Sequence, residues 1–361
     1  MRKSNLYESF LAPLCFGLEP ESAHDLAISL LRCAGRRPLV LRGLRRCYDA
    51  ADERLKVAAF GLNFPNPIGL AAGFDKNAVA FHALASLGFG FVEVGTVTAL
   101  AQPGNPKPRI FRLTAHRALI NRLGFNNDGA EAIESHLASL RGAGRIDRPL
   151  GINLGKSKAT PIERATEDYL KSFRLLRPFA DYIVVNISSP NTPDLRKLQE
   201  KERLDELLGA LQQQNLRNLP LLVKIAPDLS FEQIDDVLAL IDEHKAAGVI
   251  ATNTTTQRPG ISHPRTTEVG GLSGRPLRDL ANRCIRHIWK QTQGKMPIVG
   301  VGGVFTAEDA YEKILYGASL VQVYTGLIHV GPSLAARINR GLLELMDRDG
   351  VKQMADAIGK A

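Results

Sequence analysis

Val184-Val185-Asn186-Ile187-Ser188-Ser189-Pro190-Asn191-Thr192-Pro193 begins as a buried-type strand and ends in small polar side chains stiffened by two prolines. Other apolar runs end the same way: one enters Ala71-Ala72-Gly73-Phe74-Asp75-Lys76, another stops at Thr252-Asn253-Thr254. Strand tips that carry the polar residues while the strands stay apolar are the pattern of a parallel α/β barrel, whose C-terminal strand ends converge on one mouth. The reading is therefore an enzyme with an amide-rich, carboxylate-poor pocket.

Working outward, strands are expected at Ile68–Ala72, Phe89–Val97, Leu150–Leu154, Tyr182–Ile187, Leu221–Ile225, Gly248–Thr252, Ile298–Val301 and Leu320–Tyr324. Helical periodicity fills the gaps at 129–141, 163–177, 199–214, 230–245, 277–291, 306–316 and 331–347. Eight such strands predict a (β/α)8 TIM barrel, an α/β fold, with a doubly wound open sheet as the alternative. The G-x-G-x-x-G turn of the latter is missing where that fold would place it.

The first fifty residues differ. Ala23, Leu26, Ala27, Leu30, Leu31 and Ala34 form one helical stripe after Pro20, with Glu21 and Asp25 in the first turn, Arg32 in the last and Gly35 as a stop. Tyr7, Leu11 and Leu14, with Leu6 and Phe10, mark a shorter stripe. The division expected is a small helical domain over 1–45, a linker near 43–53 and the catalytic barrel over 46–361. Two short amphipathic helices must dock on something larger, or on lipid. Met1-Arg2-Lys3 and the apolar Phe10 to Leu18 have the outline of a signal peptide, but Glu8, Pro13 and the lack of a small-x-small site predict a retained segment.

The chain of 361 residues carries a net charge of +9. Nucleic acid, an anionic membrane and a merely solvated basic face all fit that balance. Its distribution narrows the choice: Arg32, Arg36, Arg37, Arg42, Arg45 and Arg46 lie in a stretch without acidic residues, in the helical segment and away from the expected pocket. Cys15, Cys33, Cys47 and Cys284 form no C-x-x-C pair, and the histidines form no H-x-x-x-H cluster, so free thiols and no metal are expected.

Gly300-Val301-Gly302-Gly303 follows the seventh strand and Tyr324-Thr325-Gly326 the eighth, where barrels bind phosphate through backbone N–H groups. Ser273, Gly271 and Gly274 of the preceding glycine-rich loop are candidates to complete the cradle. Lys76 and Lys224 lie at strand ends; Lys224 sits in the apolar run Leu221-Leu222-Val223-Lys224-Ile225 and needs an anionic or electron-rich partner, with Asp75 placed to orient one lysine. Asn121, Asn153, Asn186, Asn191 and Asn253 each offer donor and acceptor, suiting a planar ligand with C=O and N–H edges. No histidine or carboxylate stands out as a general base, which leaves Ser188 or Ser189. Nucleophilic hydrolysis is the rival, without a His-Asp pair or G-x-S-x-G to support it.

Ala71 to Lys76, Asn121-Arg122-Leu123-Gly124-Phe125-Asn126, Asn186 to Thr192, Gly271-Leu272-Ser273-Gly274-Arg275-Pro276 and Val301-Gly302-Gly303 together resemble the dihydroorotate dehydrogenases, in order and over nearly the whole chain. The serine in the Ser-Ser-Pro-Asn loop and the helical extension resemble the membrane-associated, quinone-reducing class 2. The resemblance implies oxidation of (S)-dihydroorotate to orotate in pyrimidine biosynthesis, with one FMN per chain. It makes Ser189 the base that takes the C5 proton as C6 delivers hydride to flavin N5. It assigns substrate to Lys76, Asn121, Arg122, Leu123, Gly124, Phe125, Asn191, Asn253 and Thr254. FMN falls to Ala72, Gly73, Phe74, Asp75, Lys76, Thr96, Asn153, Asn186, Lys224, Thr252, Gly274, Gly303, Tyr324 and Thr325, the phosphate at the last three. Ubiquinone or menaquinone is expected near His24, Arg112 and Tyr324. A monomer on the cytoplasmic face of the inner membrane, with no nucleic-acid partner, completes the expectation. A soluble FMN dehydrogenase, a tRNA-reducing flavin barrel and a non-catalytic membrane scaffold are the rivals.

Overall fold

Parallel strands buried on both faces fit an open doubly wound sheet or a barrel, and here the sheet closes. In the computed structural model, which describes residues 7–142 and 148–361, eight parallel strands form one barrel: Ile68–Leu70, Phe91–Val97, Leu150–Leu154, Tyr182–Asn186, Leu221–Ile225, Gly248–Ala251, Ile298–Val301 and Leu320–Val323. Each pairs with the next in sequence, and Val321 opposite Ile68 closes the ring. Every residue of these strands is buried, which explains their continuous apolar character. All eight expected strands are present, and each expected helix between 129 and 347 has its counterpart.

The lumen is filled, not hollow. At the N-terminal end Phe91 packs edge-on to Phe64 of an antiparallel hairpin, Val57–Ala59 with Leu62–Phe64, and edge-on to Tyr182. A Cβ on Gly151 would lie 2.2 Å from the Tyr182 ring, so the ring crosses the lumen only over a glycine. Above this plug Glu93 is fully buried, its carboxylate accepting from Asn153 Nδ2 (2.8 Å) and Gln322 Nε2 (2.6 Å). Two amide donors satisfy a charge that would otherwise be costly to bury.

Several elements were not expected. The segment 271–274 is a strand and not a loop: Gly271–Gly274 pairs antiparallel with Ala118–Asn121, which pairs in turn with Ile110–Leu113. The proposed linker is largely helix, since Pro38–Tyr48 is helical past residue 45. Phe81–Ala85 adds a short buried helix. The second N-terminal helix, Pro20–Gly35, starts where expected; the Glu19 carboxylate accepts from Ser22 N at 2.7 Å and Pro20 occupies the first turn. It packs on Phe81–Ala85 and on strand 110–113, while Ala12–Gly17 touches the helix Thr325–Val330. The readings at Met1-Arg2-Lys3 and Leu6 lie outside the described residues.

Candidate active site

Asn186 is the last residue of the fourth barrel strand, and its amide ties the mouth together. Nδ2 donates to Thr96 Oγ1 and Asn153 Oδ1, both at 3.0 Å. Oδ1 accepts from Ser188 Oγ (3.1 Å) and Asn253 Nδ2 (3.3 Å). Asn253 Nδ2 also donates to Ser188 Oγ at 2.9 Å, and Thr96 Oγ1 to Asn153 Oδ1 at 2.6 Å. An amide and hydroxyl belt thus runs from Glu93 in the lumen to the tips of four strands.

Ser188 is spent in that belt; Ser189 is not. The Ser189 Oγ accepts from the Asn191 backbone N–H (3.3 Å) and faces the mouth cavity. Asn191 Nδ2 donates to Asn121 Oδ1 at 3.2 Å, so two amides present a joined edge in the same cavity. Lys76 and Ser189, from the first and fourth strand ends, line this one cavity.

The lysines supply the charge. Burial lowers the Lys224 ammonium, with the Glu93 carboxylate opposing the shift. Burial likewise lowers Lys76 to about 8, against the pull of Glu21 and Asp25. Neither ammonium donates a hydrogen bond among the described residues, so both are available to an electron-rich ligand.

At the far side of the cavity, the Gly302-Gly303 turn approaches the helix Arg278–Gln291. Gly303 has φ +75°, and a Cβ there would meet the Arg278 backbone N at 2.8 Å. Only glycine lets the turn lie this close to the helix start, and the Gly302-Gly303 turn lines the mouth cavity. Thr325 Oγ1 donates to Ser273 Oγ at 2.8 Å beside it.

A second, larger cavity of about 370 Å³ lies beneath the N-terminal helices. Its walls are mostly apolar, including Leu26, Leu30, Leu31, Leu84, Leu87 and Leu327, and His24 and Arg112 face it. His24 sits edge-on to Phe74 (5.2 Å between centroids), and burial, reinforced by the Lys76 charge, lowers it to about 3. The Arg112 guanidinium donates to the carbonyls of Phe16 (3.2 Å) and Leu18 (2.7 Å) and lies over the Phe16 ring. Lys76, Asn121, Leu123 and Tyr324 line both cavities and form the wall between them.

The sequence model of the family described as dihydroorotate dehydrogenase matches residues 54–346. The chain belongs to the dihydroorotate dehydrogenase family. It is 54% identical over 349 residues to a dihydroorotate dehydrogenase (quinone) of Gloeobacter violaceus, covering 97% of each chain. It is 52% identical over 341 residues to the protein of that name from Thermus thermophilus, covering 94% of this chain and 97% of the relative. A crystal structure of DHODH from Eimeria tenella in complex with ferulenol is similar at a TM-score of 0.88 and 40% identity, over 96% of this chain and 98% of that one.

Within this dihydroorotate dehydrogenase fold, most of the residues expected to hold substrate or FMN share the mouth, and four do not line it. Arg122 points away, bonded to Glu268 (2.6 Å) and stacked on Phe111. Phe74 faces the second cavity. Asp75 is buried and caps its own loop, accepting from Val79 N (3.0 Å) and Ala80 N (2.7 Å), and does not hydrogen-bond a lysine. Asn153 lies one layer below, inside the belt. Gln322 lines the mouth and was missed, although it is the one polar residue in the run Leu320-Val321-Gln322-Val323. Its Oε1 is buried without a protein partner.

Proposed function

We propose that this chain oxidises (S)-dihydroorotate to orotate in pyrimidine biosynthesis, using FMN in the barrel mouth and a membrane quinone as the final acceptor. The observation that carries the reading is the pair of cavities sharing one wall: a polar, amide-lined mouth, and an apolar chamber under amphipathic helices. A planar polar substrate and a greasy electron acceptor need those two environments within reach of one redox group.

The residues fit FMN. Gly303, Tyr324 and Thr325 would hold its phosphate beside the glycine turn. Ala72, Gly73, Thr96, Asn186, Lys224, Thr252 and Gly274 would surround its ring, with Gln322 Oε1 free to accept a bond. Phe74, Asp75 and Asn153 shape the walls from behind. When bound, FMN supplies a two-electron acceptor for the C6 hydride and a donor to the quinone.

Lys76 would pair with the substrate carboxylate, while Asn121, Asn191, Asn253 and Thr254 bond its ring amides. Leu123, Gly124 and Phe125 pack beside them. Ser189 takes the C5 proton; a hydroxyl is a weak base and would work as a relay, giving its own proton to water or a neighbouring group as the C5 proton arrives. His24 stays neutral over the physiological range and offers the quinone a hydrogen bond rather than a charge, with Arg112 and Tyr324 beside it. The helices before residue 49 then act as the quinone-access module and a peripheral membrane anchor on the cytoplasmic face of the inner membrane, on a monomeric enzyme.

The test is direct. Purified protein should be yellow and should bleach when mixed anaerobically with dihydroorotate. Ser189→Ala should keep its flavin and bleach about 10²- to 10⁴-fold more slowly, the usual range for a general base. Colourless protein, or wild-type bleaching in the variant, would refute the reading.

A further inference from the structure

Three loops of the barrel mouth meet on one guanidinium that does not line the cavity. Arg196 follows the Ser-Ser-Pro-Asn loop in the short turn Leu195–Gln199. Its Nε donates to the Ser188 carbonyl at 3.1 Å, its Nη1 to Asp228 Oδ2 at 2.8 Å and its Nη2 to the Thr254 carbonyl at 3.1 Å. These acceptors follow the fourth, fifth and sixth barrel strands in turn. Asp228 is committed to the same junction: its carboxylate also accepts from the Thr255 hydroxyl and from Thr256 N at 3.2 Å. Both side chains are largely shielded, at 26% and 15% exposure, which screens the pair from competing water.

The two carbonyls are not arbitrary. Ser188 C=O belongs to the peptide whose nitrogen is that of Ser189, and Thr254 C=O follows directly on Asn253 and Thr254, both in the mouth. Resting on the function proposed above, we infer that Arg196, oriented by Asp228, is a positioning residue that sets the Ser189 hydroxyl in register with the Asn253-Thr254 edge. The guanidinium suits this task because its planar fork fixes three donors at set angles. A lysine ammonium on a flexible stem does not reproduce that fork. Register matters because a displacement of about 1 Å in a reacting group can cost about 10²-fold in rate.

The experiment separates the two half-reactions of the holoenzyme. Flavin bleaching by dihydroorotate and flavin reoxidation by a short-chain soluble quinone are each followed anaerobically in wild type, Arg196→Lys, Asp228→Asn and the double variant. Expected for Arg196→Lys is a bleaching rate about 10- to 10²-fold lower, with flavin content and reoxidation rate unchanged. Asp228→Asn should lose less in the same direction, and the double variant should lose no more than Arg196→Lys alone. Bleaching within twofold of wild type in both single variants would overturn the inference. So would equal losses in both half-reactions accompanied by loss of flavin, the signature of a merely structural clamp. Should Arg196→Lys not yield holoenzyme, Asp228→Asn decides by the same comparison. A wild type that never bleaches would sink the proposed function and this inference together, whereas normal wild-type bleaching with unaffected variants sinks the inference alone.

Discussion

Lys76 stands in the wall between the two cavities, and its charge is held there under strain. Burial lowers it to about 8 although Glu21 and Asp25 lie near enough to pull the other way. Only the protonated ammonium attracts a carboxylate, so the free enzyme should lose affinity for dihydroorotate as the pH rises through that value. The kcat/KM profile reports ionisations of the free enzyme. We expect it to fall about tenfold per pH unit above about 8. A charged hydrogen bond is worth about 1.5–3 kcal/mol, so Lys76→Gln should lie about 10- to 10²-fold below wild type at pH 7 and lack that alkaline limb. A limb that persists in Lys76→Gln would assign the ionisation to another group. The amino-acid order placed Lys76 and the pair Ser188-Ser189 at polar strand tips after apolar runs, and the choice of Ser189 rests on the family resemblance. The order did not disclose that Arg122 turns outward, since the direction of a side chain in a loop depends on Glu268 and Phe111, far away in the chain.

At the scale of elements, one buried ion pair joins the helix Pro20–Gly35 to the loops beside Asn121 and Asn191. Arg109 Nε donates to both Glu21 oxygens, at 3.2 and 3.0 Å, and Arg109 Nη1 donates to the carbonyls of Pro103 (2.6 Å) and Asn105 (2.8 Å). Asn105 Nδ2 continues to the carbonyls of Arg122 (2.9 Å) and Asn191 (3.0 Å). Removing one partner of a buried pair strands the other, at a cost of about 3 kcal/mol. Glu21→Ala should therefore lower the urea unfolding free energy by about that amount at neutral pH. Burial raises the Glu21 carboxyl, but Arg109 and Lys107 outweigh it and hold the group below its ordinary value. A depressed carboxylate stabilises the fold above its unfolded pKa, about 4.3, and that contribution is lost as the pH falls through the lower folded value. The difference between wild type and Glu21→Ala should accordingly shrink in acid; a gap that grows there would contradict the account. In the sequence Glu21 reads only as a first-turn acid, because its partner is 88 residues away. The same holds for strand Gly271–Gly274, which is too short and glycine-rich to show a period of two and is held by pairing with Ala118–Asn121. The barrel strands, in contrast, were legible because full burial on both faces writes itself as unbroken apolar runs.

The whole molecule is asymmetric in a way that bears on where it works. Among the described residues, eight of the twelve exposed large apolar side chains fall between Phe10 and Val40, including Phe10 at 66%, Leu14 at 71% and Leu39 at 79% exposure. No helix among the described residues is long and apolar enough to cross a membrane. The arginines at 32, 36, 37, 42 and 46 belong to the same segment as the apolar side chains. Apolar insertion and attraction to anionic headgroups would then act together, as on interfacial helices. Burying one leucine is worth about 1.5–3 kcal/mol, so the double variant Leu14→Glu/Leu39→Glu should bind vesicles of mixed neutral and anionic phospholipid on the order of 10²-fold more weakly. Raised salt should weaken wild-type binding through the arginines and leave a residual apolar component. Neither leucine lines either cavity, so turnover with a short-chain soluble quinone should be retained. Turnover with a long-chain quinone embedded in the vesicles should drop with binding, because on the proposed function the chamber under the helices would fill from the bilayer only while the helices rest on it. Vesicle binding unchanged in the double variant would move the membrane contact to another face, and equal loss of both quinone activities would mean that the two leucines support the chamber itself.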